Sequence, residues 1–226
     1  MDSAELAGWL RLALTPGVGN TGARKLLAAF GLPGAIFEQP LEVLEQLLPP
    51  AIAQALGEEP AGFAAQLEAT LAWLAGAGAQ GQRRIVTLAD AEYPPALLQT
   101  DDPPLMLYLA GQTQQALGQA IAIVGSRNPT PQGRQNAQRF GRAFAEAGIT
   151  VVSGLALGID GAAHEGALDA AAPDLLATVA VVGTGLDRVY PKQHLELAHR
   201  IAQRGLLVSE YPLGTRPGAR RRAGRL

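Results

Sequence analysis

The sequence predicts an α/β protein: a mostly parallel sheet with helices on both faces, preceded by a small all-helical domain. From residue 119 onward, short apolar runs alternate with amphipathic stretches, which is typical of repeated strand–helix–strand units. Those runs are continuously apolar, as strands are when both faces of a sheet are covered. Residues 1–80 instead repeat apolar side chains at helical spacing.

The first 80 residues predict several short helices and form the first expected domain. Leu6, Trp9, Leu10, Ala13 and Leu14 recur at the spacing of one helix face. The stretch GVGNTGARK follows and resembles a helix-hairpin-helix, whose turn amides can hold a phosphate. An ordinary turn between two helices is the alternative, and we favour it.

Residues 81–215 predict the sheet domain. Two strand candidates joined by a proline-rich link come first, and four strand candidates alternating with helices follow. These strands are RRIVTL, PLMLYLAG, AIAIVG, ITVVSG, ATVAVVG and LLVSE. The intervening helices are expected around 131–147, 159–171 and 193–204. Residues 216–226 contain five arginines and are expected to form a disordered tail.

Composition excludes several classes of protein. The 226 residues include no cysteine, so disulfides and cysteine chemistry are excluded. The three histidines show no metal-ligand spacing, and we expect neither a metal nor a cofactor. No apolar run reaches the roughly 18 residues of a membrane span, and the N-terminus lacks a basic signal-peptide region. We expect a cytoplasmic protein without a membrane partner.

The charge is distributed unevenly along the chain. All 20 acidic residues lie at or before Glu210, and five of the 18 basic residues follow it. The body of the protein is therefore acidic. A nucleic acid bound to it must be held by a local basic site rather than by the overall field.

Small polar residues collect where predicted strands end. They form three groups: Gly125-Ser126-Arg127, Ser153-Gly154 and Gly183-Thr184-Gly185. Ligands of parallel sheets lie at the carboxyl ends of the strands, where hydroxyls and helix N-terminal amides suit an anion. Thr130 before Pro131 fits a helix N-cap, and Arg127 adds a guanidinium suited to phosphate. The alternative is that these residues only close tight turns.

Enzyme motifs are absent from these turns. The chain has no dinucleotide-binding fingerprint, no P-loop and no nucleophile elbow. Asp160 and Glu210 form a conceivable acid–base pair. We expect instead that Asp160 caps a helix beginning at Gly161 and that Glu210 ends a strand. His164, His194 and His199 are expected at the surface, so no catalytic residue is predicted.

Four segments resemble the DNA-processing protein A family (DprA/Smf). They are AIVGSRNPTPQG, VVSGLALGIDGAAHEGAL, VVGTGLDRVYPKQH and LLVSEYPLGT, in family order. The resemblance implies an extended Rossmann-like domain behind a sterile-alpha-motif-like helical domain. It also implies a non-enzymatic protein of natural transformation that binds single-stranded DNA, forms a homodimer and loads the RecA recombinase.

The resemblance assigns a DNA site residue by residue. By match, Gly125, Ser126 and Arg127 would hold DNA phosphate, while Ser153, Gly154, Gly158 and Asp160 would shape the same pocket. The expected site further contains Gly183, Gly185, Tyr190 and Lys192. Two departures stand out: position 194 is histidine where the family usually has asparagine, and EYPLGT is not followed by the family's Phe-Pro-basic-Asn-Arg segment. We therefore expect the Rossmann-like domain to be C-terminally incomplete.

Two other functions remain as alternatives. A Rossmann-like nucleotide-phosphate hydrolase would resemble the cytokinin-activating phosphoribohydrolases, but their PGGxGT stretch is absent. An interaction module would use the helical domain and retain only a vestigial phosphate site.

Overall fold

The computed structural model describes residues 1–76, 81–115 and 117–218. These residues form two compact units. The first contains residues 1–72 together with 86–107, and the second contains 73–85 and 108–218. The proline-rich link therefore belongs with the helical unit, which the sequence did not indicate. Most of the predicted tail, 219–226, lies outside the described residues.

Short helices build the first unit, as the spacing of apolar residues predicted. They are α1 (Ser3–Leu14), α2 (Gly19–Phe30), α3 (Pro33–Phe37), α4 (Leu41–Leu44), α5 (Pro50–Gly57), α6 (Phe63–Ala75) and, within the link, α7 (Pro95–Leu98). Asp2 caps α1 by accepting a hydrogen bond from the Glu5 amide at 2.8 Å. Leu6, Trp9 and Leu10 are buried, which confirms the predicted inner face of α1.

The polar start of α2 contacts the link rather than an open surface. Arg24 forms an ion pair with Asp102 at 3.0 Å, and Asn20 donates to the same carboxylate at 3.3 Å. The helix-hairpin-helix candidate thus meets a carboxylate of its own unit, in keeping with the ordinary-turn interpretation.

A six-stranded sheet forms the second architectural element. Its strands are β1 (Gln82–Thr87), β2 (Met106–Gly111), β3 (Ala120–Ala122), β4 (Thr150–Ser153), β5 (Thr178–Val181) and β6 (Leu206–Ser209). They lie in the order β1-β2-β6-β5-β4-β3. Strands β3 to β6 pair in parallel, and β2 pairs antiparallel with β6. The mostly parallel sheet is therefore as predicted.

Three helices connect the parallel strands. They are α8 (Pro131–Glu146), α9 (Ile159–Ala170) and α10 (Leu195–Arg204), the last preceded by a 3₁₀ turn over Lys192–His194. Thr130 caps α8 by accepting from the Gly133 amide at 3.1 Å, and Pro131 occupies the first turn, as the sequence predicted.

Helices α8 and α9 approach each other at backbone distance. A Cβ atom at Gly141 would clash with the Ala163 carbonyl oxygen, and one at Gly166 would clash with the Gln138 carbonyl oxygen. Glycine at these two positions therefore sets the distance between the two helices. That distance also sets the relative positions of the loops that precede α8 and α9.

The first parallel strand is shorter than predicted. The strand ends at Ala122 rather than Gly125, although the Ile123 amide still donates to Val152 at 2.9 Å. Ala120 and Ala122 are exposed at the edge of the described sheet, and Val124 is 75% exposed. Residues 123–130 are thereby free to form a loop at the carboxyl end of the sheet.

No helix among the described residues is both long and apolar enough to cross a bilayer.

We expect Gly166→Ala to destabilise the protein by about 1–3 kcal/mol, because the added methyl group overpacks the α8–α9 contact. The matched control is Gly34→Ala in α3, where a Cβ meets no atom within 4 Å. That change should be neutral or stabilise by up to about 1 kcal/mol. Urea unfolding of both variants measures the difference, and equal midpoints would contradict the close-approach argument.

Candidate functional site

The candidate site lies where the parallel strands end. In open α/β sheets, the loops at the carboxyl ends of the strands surround the ligand crevice. Here the loops after β3, β4 and β5 enclose a cleft of about 310 Å³ with the segment around residue 190. Its lining includes four predicted site residues: Arg127, Gly154, Gly183 and Tyr190.

The loop after β3 presents Arg127. Ser126 shapes this loop: its carbonyl accepts from the Ile159 amide at 3.1 Å, and its hydroxyl accepts from the Asn128 amide at 3.1 Å. Gly125 packs beside the Ile159 side chain. The Arg127 side chain is exposed and has no hydrogen-bond or ion-pair partner within the described ranges. Its guanidinium can therefore meet an incoming phosphate with two parallel hydrogen bonds.

The loop after β4 touches the loop after β3 through its backbone. Gly158 has φ +85°, and a Cβ there would clash with the Ser126 carbonyl oxygen. Buried Ser153 donates its hydroxyl to the Ile123 carbonyl at 2.6 Å. This hydroxyl joins the two loops, and the Ser153 contact with DNA stays a prediction.

Asp160 does not cap the helix as predicted. Helix α9 begins at Ile159, the cap position is Gly158, and no side chain caps it. The buried Asp160 carboxylate accepts instead from the amides of Gly154 at 3.2 Å and Ala156 at 3.3 Å. The capping prediction was wrong because Asp160 lies inside the first turn, where its side chain reaches back to the preceding loop.

The loop after β5 supplies an open wall. A Cβ at Gly183 would meet nothing within 4 Å, so a ligand can approach the backbone there. Gly185 lies outside the lining and donates its amide to the Thr215 carbonyl at 3.2 Å. The Ser209 hydroxyl donates to the Thr184 carbonyl at 2.7 Å and so belongs to the framework of this wall.

Asp187 holds the chain segment that leads to the rim of the cleft. Burial raises the pKa of this carboxyl, but hydrogen bonds from Arg188 and the Gly214 amide, each 2.8 Å long, bring the pKa below its usual value. Pro217 and Gly218 follow the segment whose Gly214 amide is bonded to Asp187, and both line the cleft.

The Tyr-Pro stretch forms a further part of the wall. Tyr190 lines the cleft with 52% of its surface exposed, and the Tyr190–Pro191 peptide is cis. Lys192 is exposed and begins the 3₁₀ turn, but it is not part of the lining. Its contact with DNA stays a prediction.

Main-chain amides complete the donor set of the cleft. Arg127, Leu157, Gly183 and Thr184 all line the cleft, and their N–H groups donate to no acceptor in the part of the chain that the structure describes. Amides at the ends of strands favour an anion, as the Arg127 guanidinium does. The sequence placed Thr184 in the third group of small polar residues but did not assign it to the DNA site, and it missed Leu157, which lies in a segment that it singled out.

His164 is buried, so its predicted surface position is wrong. Its ring lies between α9 and the sheet, 2.7 Å from the Thr178 hydroxyl, which itself donates to the Val151 carbonyl. Nδ1 therefore carries the proton, and Nε2 has no partner among the described residues. Burial, and secondarily the charge of His194, lower the pKa of His164 to about 3. The alanines that flank His164 in the sequence could have indicated that this face of the helix is buried.

The other two histidines are half-buried rather than fully exposed. His194 lies near the cleft, and its Nδ1 is 2.9 Å from the Leu155 carbonyl. His199 lies on α10. The described residues contain no group of three potential metal ligands.

Solved structures share this fold. DNA processing protein A from Streptococcus pneumoniae matches with a TM-score of 0.68 and 26% identity, over 97% of this chain and 71% of that one. DNA processing protein A from Helicobacter pylori, whose structure is described as giving insight into its unique single-stranded DNA binding mode, matches with a TM-score of 0.53 and 31% identity. That match covers 63% of this chain and 62% of the other. The class is thus a Rossmann-like α/β protein with a ligand cleft at its strand ends.

Sequence comparison identifies the family. The family model for DNA recombination-mediator protein A matches residues 84–225, more than half of the chain, and the chain belongs to this family. Protein Smf from Synechocystis is 39% identical over 61% of this chain and 35% of its own length. DNA processing protein DprA from Bacillus subtilis is 35% identical over 58% of this chain and 43% of its own. The matched segment thus spans less than half of these relatives.

We expect acid to destabilise the protein through His164. The unfolded histidine takes up a proton below its ordinary pKa of 6.5, whereas the native one stays neutral down to about pH 3. Stability should therefore fall as the pH drops through this window, by at most about 1.4 kcal/mol per pH unit from this group. In His164→Asn, urea unfolding between pH 7.5 and 4 should show a shallower pH dependence, and an unchanged slope would contradict the assignment.

Proposed function

We propose that the cleft binds single-stranded DNA through its phosphates. The observation that carries this proposal is the exposed Arg127 guanidinium at a cleft where it and four lining amides have no acceptor among the described residues. Both kinds of donor belong to residues that line the same cleft, and such a donor set suits a phosphate oxyanion better than a neutral ligand. The Helicobacter pylori relative, described by its single-stranded DNA binding mode, supports this choice of anion.

We propose further that the cleft binds DNA without hydrolysing DNA or nucleotides. The described lining contains no carboxylate or imidazole that could serve as a general base. The Asp160 carboxylate, next to the lining residues Gly154 and Ala156, already accepts two main-chain hydrogen bonds from their amides. A nucleotide-hydrolysis assay beside a DNA-binding assay separates this function from that of a nucleotide-phosphate hydrolase.

We also propose that the chain acts in natural transformation, where it protects incoming DNA, loads the RecA recombinase and works as a cytoplasmic homodimer. Family membership supports a role in recombination, since the family is that of a DNA recombination mediator. RecA loading and dimerisation follow from the family resemblance. Size-exclusion chromatography and a RecA strand-exchange assay test them.

Tyr190 supplies a place for a base. Its ring is half-exposed in the lining that also contains Arg127. Successive bases of a single strand stack on such aromatic rings, whereas duplex bases are already stacked and paired. We therefore propose that the backbone phosphate meets Arg127 while a base lies on Tyr190, which favours single strands over duplexes.

We expect Arg127→Ala to weaken single-stranded DNA binding by about 1.5–3 kcal/mol, the range of a hydrogen bond to a charged group. Arg127→Lys should restore only part of the loss, because the planar fork is missing. Titration across salt concentrations should show a slope smaller by about 0.7 in the alanine variant, for one lost phosphate contact. Arg139→Ala, at an exposed position of α8, is the matched control. Equal losses of DNA affinity in Arg127→Ala and Arg139→Ala would show that the net charge of the protein, rather than a specific contact of Arg127, determines binding.

The contribution of Tyr190 can be separated from that of the phosphates. Oligothymidylate should bind about tenfold more tightly than an abasic oligomer with the same number of phosphates, the effect of one stacked base. Tyr190→Ala should lose this preference with little change in abasic affinity, and Tyr190→Phe should keep it. A wild-type chain that binds both oligomers equally would rule out stacking of a base on the Tyr190 ring.

A further inference from the structure

The floor of the cleft is a loop in an unusual backbone conformation. Residues 154–158 connect β4 to α9, and Gly154, Ala156 and Leu157 line the cleft. Between them, buried Leu155 has φ +60°, the one positive φ of a non-glycine residue in the described chain. A side chain with a Cβ disfavours this left-handed region, so the surroundings must impose it.

Hydrogen bonds hold this loop on both sides of Leu155. The Asp160 carboxylate accepts from the amides of Gly154 and Ala156, and the Ala156 carbonyl accepts from the Gly161 amide at 3.2 Å. The Leu155 carbonyl lies 2.9 Å from Nδ1 of His194. A carbonyl only accepts, so Nδ1 is the donor. This nitrogen carries a proton in both that neutral tautomer and the imidazolium, so protonation of the ring does not break the contact.

Gly161 in the first turn of α9 leaves the space that the imidazole ring of His194 occupies. A Cβ at Gly161 would lie 2.6 Å from Cε1 and 2.9 Å from Nε2 of His194. The ring therefore packs directly on the backbone of the first turn of α9, and any larger residue at 161 would displace it. The histidine comes from a different part of the chain, 39 residues beyond Leu155.

We propose that His194 is a positioning residue for the cleft. By donating to the Leu155 carbonyl, it holds the left-handed turn. This turn sets the position of Leu157, a lining residue whose amide has no acceptor among the described residues. The link to DNA affinity rests on the proposed single-stranded DNA function. The link to loop order does not, because it depends only on the hydrogen bond.

The test compares His194→Leu with His194→Asn in the full 226-residue chain. Leucine fills space but cannot donate, whereas the asparagine side-chain amide can. His194→Leu should weaken oligothymidylate binding about fivefold, as the loss of one hydrogen bond implies. It should also speed amide hydrogen exchange across residues 154–158 in the absence of DNA. His194→Asn should recover most of both effects, and the control His199→Leu should change neither.

Three outcomes would overturn the proposal. They are wild-type exchange rates in His194→Leu, equal damage from asparagine and leucine, and equal loosening of the loop in His199→Leu. If His194→Leu does not fold, Gly161→Ala provides the test, because the added methyl group displaces the imidazole ring while the histidine is kept. Wild-type rates of amide hydrogen exchange across residues 154–158 in Gly161→Ala would then contradict the positioning role of His194. A wild-type chain that binds no single-stranded DNA refutes the proposed function, while loop exchange still decides the role of His194.

Discussion

The buried carboxylate of Asp160 is the contact on which the cleft depends. It accepts hydrogen bonds from two amides of the loop after β4, and both amides lie where no strand or helix partner is available. Both bonds are part-buried and satisfy main-chain donors of the loop, so the carboxylate stabilises the shape of this loop. The neighbouring Gly158 then brings the loop against the Ser126 carbonyl, which places Arg127 at the rim. One acidic side chain thereby positions a basic one.

Polar groups around the cleft fall into two sets with different tasks. The hydroxyls of Ser153 and Ser209 and the carboxylates of Asp160 and Asp187 bond to main-chain groups of the loops. Within the described lining, the groups left for a ligand are the Arg127 guanidinium, the Tyr190 ring and several main-chain amides. If the cleft binds single-stranded DNA as proposed, such a site would recognise a phosphate backbone and a base face without reading a base edge. Weak sequence preference follows from that chemistry.

The charge distribution gives this local site its importance. Most of the protein is acidic, and several arginines are already paired within their own units: Arg24 with Asp102, Arg188 with Asp187 and Arg200 with Asp169. The overall field therefore does not draw a polyanion to the surface. Under the proposed function, affinity would come from donors that have no partner among the described residues, such as Arg127, and the binding would be sensitive to salt.

The sequence alone determined the class of fold and the edge of the sheet where the site lies. Continuous apolar runs, the Thr130-Pro131 helix start and glycines at strand ends are local signals, and the structure bears them out. Burial and long-range pairing were decided by tertiary structure. His164 is buried because α9 packs on the sheet, and His194 reaches Leu155 only because the fold brings together positions 39 residues apart. Asp160 faces the loop rather than the helix end for a related reason: a side chain in a first helical turn can bond forward or backward, and the position of the preceding loop decides between them.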